Sequence, residues 1–114
     1  MSDYHEPTNE LSEKTRDYAR ALHTLQEEVE AIDWYRQRVD ASHDESLVGI
    51  MQHNMHEEME HACMTLEWLR RNMEGWDEKM KTYLFTDIPV TDIEEDTGDK
   101  KGQDSNGSLG LSDK

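Results

Sequence analysis

Glu58 and His61 stand three residues apart in the stretch EEMEH, residues 57–61. Three residues is nearly one helical turn, so on an α-helix both side chains leave one face and reach a common point. A carboxylate and an imidazole meeting there form the Glu-x-x-His ligand pair used by di-iron and di-manganese helical bundles. The setting of the pair is unusual. Met51, Met55, Ala62, Leu66 and Leu69 lie at −7, −3, +4, +8 and +11 from Glu58, which puts the carboxylate in the middle of an apolar stripe. An ionised carboxylate facing a core is costly unless it is paired or metal-bound. A salt bridge to an arginine or a wet interface would also meet that cost, but the histidine at i+3 favours metal.

A second misplaced carboxylate lies upstream. Glu28 falls three residues after Leu25 and four before Ile32, on a row with Ala21 and Tyr35, with Glu27 and Glu30 flanking it outward. One Glu from one helix and one Glu-x-x-His from another make half of a di-iron carboxylate site, whose full form takes two of each. A two-fold dimer repeats the same surface on both partners and would supply the missing half. Hard oxygen donors with one imidazole per metal suit iron or manganese. Three protein ligands per metal leave positions open for water or dioxygen, which favours redox chemistry over a closed structural site.

The longer stretch HEEMEH also invites a zinc-peptidase reading, which its spacing rejects. Such a site needs two histidines at i and i+4. His56 and His61 are five residues apart, about 140° from one another around a helix. The inverted form would need histidine where Glu57 stands.

Two helices must position these groups. Tyr18, Leu22, Leu25, Val29 and Ile32 recur at 4-3-4-3 spacing and predict an amphipathic helix over roughly 10–40. DASHDES, residues 40–46, is a short polar connection in which Ser42 and Glu45 have capping-box spacing for a second helix. So short a link makes the two helices antiparallel neighbours. Gly75 ends or kinks the second helix, and WDEKMKTYLF is again helical in pattern. Pro89 breaks the chain, and Thr91 with Glu94 is spaced to cap one short further helix. The expected fold is all-α: an antiparallel two-helix hairpin that completes a four-helix bundle by dimerisation, with a short C-terminal helix.

Composition agrees with a half-built core. Hydrophobic residues make up 33% of the 114 residues and charged residues 34%, so the ordered part cannot enclose a sizeable core alone and oligomerisation is the economical remedy. The net charge of −15 disfavours nucleic acid and anionic membrane and favours cations or a basic protein surface. The single cysteine, Cys63, excludes an intrachain disulfide and leaves the redox compartment open. The N-terminal stretch MSDYHEPTNE has no secretory pattern, and no apolar run approaches a membrane span.

EEVEAIDWYRQRVDAS, HNMHEEMEHACMTLEWLRRN and KTYLFTDIPVTDIE together resemble the encapsulated ferritins, ferritin-like proteins housed inside encapsulin shells. The resemblance covers about residues 10 to 95. It implies a helix pair whose dimer makes a four-helix ferroxidase unit, with dimers joined into a ring-shaped decamer. It places the di-iron ligands on Glu28, Glu58 and His61 and sets Tyr35 beside the iron centre. Residues on the way in for metal fall on Glu27 and Glu30, with Trp34 at the approach. An outer cation site, for calcium or another divalent ion, falls on His53, Glu57 and Glu60. Such a protein oxidises iron but encloses no mineral itself, so storage passes to a shell in a bacterial or archaeal cytoplasm.

NGSLGL, residues 106–111, resembles the cargo-loading peptide that docks in such shells. Leu109 and Leu111 are the only bulky apolar residues from Glu94 onward, and their i, i+2 spacing suits two apolar pockets in extended form. The expected organisation is an irregular N-terminus (1–9), a ferritin-like helical domain (10–96), a disordered linker (97–105) and a loading peptide (106–114). The leading expectation is a ferroxidase. Its rival is a non-redox oligomer that sequesters or buffers divalent cations.

Overall fold

Ser12 starts the first helix. Its hydroxyl accepts a hydrogen bond from the Thr15 N–H at 3.1 Å in the computed structural model, which describes residues 4–94. Helix α1 then runs over Glu13–Ala41. Arg16 reaches back from it and donates to the carbonyls of Thr8 at 3.0 Å and Leu11 at 2.9 Å. One guanidinium thus ties the 3-10 turn Thr8–Glu10 to the start of the helix.

The reversal takes three residues. The Ser42 N–H closes the last turn of α1 on the Arg38 carbonyl, and α2 follows over Glu45–Asn72. The α2 cap is Asp44, not the expected Ser42: the Asp44 carboxylate accepts from the Leu47 N–H at 2.9 Å. Ser42 accepts instead from the Asp44 N–H at 3.2 Å and so shapes the link. The shift follows from chain direction, because Ser42 is already committed to ending α1. The result is an antiparallel hairpin of two long packed helices. Among the described residues there are helices and turns and no strand.

The stripe expected on α2 is the buried one. Met51, Met55, Ala62 and Leu69 are the buried hydrophobic residues of the described chain, and Leu69 is wholly enclosed. Leu66 is half-buried. Helix α1 buries none of its side chains fully, and Val29, expected on its apolar row, is 53% exposed. Tyr18 packs edge-on to Trp68 with ring centroids 6.4 Å apart, joining the start of α1 to the end of α2. A single hairpin offers each helix only one neighbour, so its apolar faces are half covered.

The described chain divides into two compact units after Leu69. Within the second, Gly75 takes φ 107°, a left-handed conformation that a Cβ would strain, and α3 (Trp76–Tyr83) begins there. Asp77 in its first turn is held by Arg70 and by Lys81. The further helix expected after Pro89 is one 3-10 turn, Val90–Asp92, closed by the Asp92 N–H on the Pro89 carbonyl at 2.8 Å. Thr91 lies inside that turn and caps nothing. Ile93 returns to extended backbone immediately afterwards. No described helix is long and apolar enough to cross a membrane. The 97–105 linker and the 106–114 peptide, with Leu109 and Leu111, lie outside the described residues.

Candidate metal centre

Glu58 and His61 do meet. The imidazole Nδ1 lies 3.5 Å from the Glu58 Oε1, with side-chain exposures of 47% and 29% respectively. Two ligand atoms bound to one ion at about 2.1 Å and at right angles are about 3 Å apart, so the pair is close to a chelating bite. Both residues belong to α2, whose buried Met55 and Ala62 stand at −3 and +4 from Glu58. The pair therefore sits at the lip of the core with one side open to a further ligand.

Glu28 faces α2 from α1, as its place beside the apolar seam requires. It does not join Glu58 and His61 in a three-donor cluster. Its Oε1 instead accepts a hydrogen bond from the Thr65 hydroxyl at 3.0 Å. Thr65 is seven residues beyond Glu58, about 10 Å farther along the helix axis. Among the described residues of this one chain, no three His, Cys, Asp or Glu side chains converge on a point fit for a metal ion.

The flanking residues behave differently from one another. Glu27 is exposed and lies 3.4 Å from His23 Nε2, an i,i+4 partner that the sequence reading overlooked although its spacing was visible. Glu30 is exposed, and Trp34 is 48% exposed beside them. Tyr35 is half-buried, and the Arg38 guanidinium lies 5.6 Å from its ring centroid. His53 Nε2 stands 3.9 Å from a Glu57 oxygen, both well exposed, and Glu60 is exposed on the same helix. Thr65 carried no sequence signal as a partner of Glu28, because 37 residues separate them.

Chemically, one chain thus offers a close imidazole–carboxylate pair on α2 and a second carboxylate on α1, bonded to a hydroxyl. All three donors are hard or borderline and suit a first-row divalent metal. The net charge of −15 would concentrate cations around them.

Comparison with known proteins bears on the same segment. The sequence model of the EncFtn-like family matches residues 3–87. A ferritin-like protein of Thermotoga maritima is 56% identical over 112 residues, which is 97% of each chain. An encapsulated ferritin-like protein of Rhodospirillum rubrum is 53% identical over 103 residues, 90% of this chain and 72% of its own. A crystal structure of a Nitrosomonas europaea protein is similar with a TM-score of 0.75 and 52% identity, covering 78% of this chain and 99% of that one.

Proposed function

The chain belongs to the EncFtn-like family of encapsulin-associated ferritin-like proteins, and from that premise we propose that it is a ferroxidase whose di-iron site forms between two subunits. The observation that carries the reading is the Glu58–His61 pair, 3.5 Å apart at the edge of the buried face of α2. Glu28 supplies the third ligand. A two-fold partner repeats all three and brings two Fe²⁺ ions together as substrate.

Each residue then has a task. Glu58 and Glu28 put negative charge around the ions, which stabilises Fe³⁺ over Fe²⁺ by Coulomb attraction and so assists electron transfer to dioxygen. His61 fixes position with a neutral donor. Two ions held together deliver two electrons in one encounter with dioxygen. Tyr35 stands beside the centre. Glu27, Glu30 and Trp34 form the approach, along which the acidic surface draws Fe²⁺ inward. His53, Glu57 and Glu60 form an outer site for calcium or another divalent cation.

Assembly follows from the exposed apolar surface. Val29, Leu47, Ile50, Met59 and Met64 on the hairpin, and Leu84, Phe85, Ile88 and Val90 beyond it, are all exposed in one chain. Surface of this kind supports burial against further copies, first as a dimer and then as a ring-shaped decamer. Oxidised iron passes on to mineral inside an encapsulin compartment, to which residues 106–114 address the ring through Leu109 and Leu111. The name of the Rhodospirillum rubrum relative supports that destination.

The exposed His–Glu pairs at His23–Glu27 and His53–Glu57 favour a second reading, a non-redox oligomer that buffers divalent cations. Anaerobic loading with Fe²⁺ followed by air separates the two. A rapid rise in ferric absorbance, lost in Glu58→Ala, supports the ferroxidase; binding without accelerated oxidation supports the buffer.

A further inference from the structure

A threonine hydroxyl inside a helix ordinarily bonds the carbonyl one turn back. Thr65 does not follow that habit. Its Oγ1–H crosses from α2 to α1 and donates to Glu28 Oε1 at 3.0 Å, in a part-buried setting. Thr65 stands four residues after His61 and seven after Glu58, so it continues the face that carries the metal-binding pair.

We propose that Thr65 is a positioning residue for Glu28, orienting its carboxylate toward metal. An ionised carboxylate has about four lone-pair sites, and the hydroxyl takes one of them. Oε2 takes no part in that bond, and the carboxylate loses part of its rotational freedom. Glu is among the side chains that lose most rotamer freedom on ordering. A carboxylate already anchored gives up less of that freedom when it binds an ion. Hydrogen-bond partners of metal ligands typically change affinity by about 10- to 100-fold, and Thr65 acts in that way. Since Glu28 is a ligand only under the function proposed above, the test must tell the two ideas apart.

The full-length assembled protein is titrated with Co²⁺, a redox-quiet probe whose absorption reports its ligands, and separately assayed for Fe²⁺ oxidation. Thr65→Val keeps the shape and removes the donor. Co²⁺ affinity is expected to fall by about 10- to 100-fold, and the Fe²⁺ concentration at half-maximal rate to rise by a similar factor. Thr65→Ser restores the hydroxyl and is expected to recover both. Should the Val variant fail to assemble, Thr65→Ala takes its place and is expected to lower Co²⁺ affinity in the same range, with Thr65→Ser again the recovery. Wild-type Co²⁺ affinity in Thr65→Val, or equal loss in Thr65→Val and Thr65→Ser, overturns the positioning role. Glu28→Ala is the control. If it loses Co²⁺ binding while Thr65→Val does not, only the role of Thr65 fails. If Glu28→Ala binds Co²⁺ as wild type does, the proposed centre fails with it.

Discussion

Glu58 and His61, with Oε1 and Nδ1 3.5 Å apart, form a close carboxylate–imidazole pair on the helix face that also buries Met55 and Ala62. A carboxylate placed there has few ways to be satisfied. The imidazole beside it can offer the carboxylate at most one N–H, and the open flank leaves room for a cation.

Removing any one ligand is expected to stop rapid Fe²⁺ oxidation. Glu28→Ala, Glu58→Ala and His61→Ala should each lower the initial rate by more than the roughly 10- to 100-fold typical of losing an outer partner. Stopped-flow ferric absorbance measures this. Glu58→Gln should also be inactive yet assemble more readily than wild type without metal, because the proposed dimer crowds like charges. Native mass spectrometry of metal-free protein reads the difference, and a fully active monomer would refute the shared site.

Under the proposed function Glu27, with its partner His23, belongs to the approach and not to the ligand set. Glu27→Ala and Glu30→Ala should slow iron uptake at low Fe²⁺ and leave the maximal rate nearly unchanged. His23→Ala keeps the Glu27 carboxylate and frees it from its 3.4 Å contact, so it should act in the opposite direction and speed uptake at low Fe²⁺. Unchanged kinetics in all three across a range of Fe²⁺ concentrations would place the route elsewhere.

The cap on α2 gives a stability test free of metal chemistry. Asp44→Ala removes the acceptor for the Leu47 N–H and should cost about 1 kcal/mol. Ser42→Ala should cost less, since Ser42 does not cap α2. Denaturant unfolding of the two variants under one buffer checks the order.

Asp77 gives the pH dependence. Its hydrogen bond from Lys81, followed by that from Arg70, holds the carboxyl below its ordinary value of 3.8. A group whose folded value is depressed contributes stability that is fully present above the unfolded value and lost as pH falls through the folded one. Asp77→Asn should therefore lower the melting temperature modestly at pH 7 and at pH 5. The gap to wild type should close as pH drops below about 4. A gap that persists undiminished at pH 2.5 would mean that the ionised carboxylate is not its source.

Deleting residues 105–114, or changing Leu109 and Leu111 to Asp, should leave ferroxidase activity intact and abolish co-purification with a co-expressed encapsulin. Each Asp would set a charge in an apolar pocket. Packaging of the truncated protein at the full-length level would mean that the shell recognises the folded part instead.

Local periodicity alone determined the two long helices, because burial of one face repeats every 3.6 residues and is written directly into the spacing of apolar side chains. Met51, Met55, Ala62 and Leu69 were legible for that reason, and so was Glu58 as the polar intruder among them. The Glu58–His61 contact and the His23–Glu27 pair are likewise local, one turn long, and fixed as soon as the helix forms. Tertiary structure decided what depends on register between helices. That Glu28 meets Thr65 rather than Glu58 follows from how far α2 slides along α1, which the three-residue link and the fit of side chains set together. The choice of Asp44 over Ser42 as cap is of the same kind on a smaller scale. Both serine and aspartate can cap a helix, and only the path of the reversing chain decides which oxygen stands before the free N–H groups.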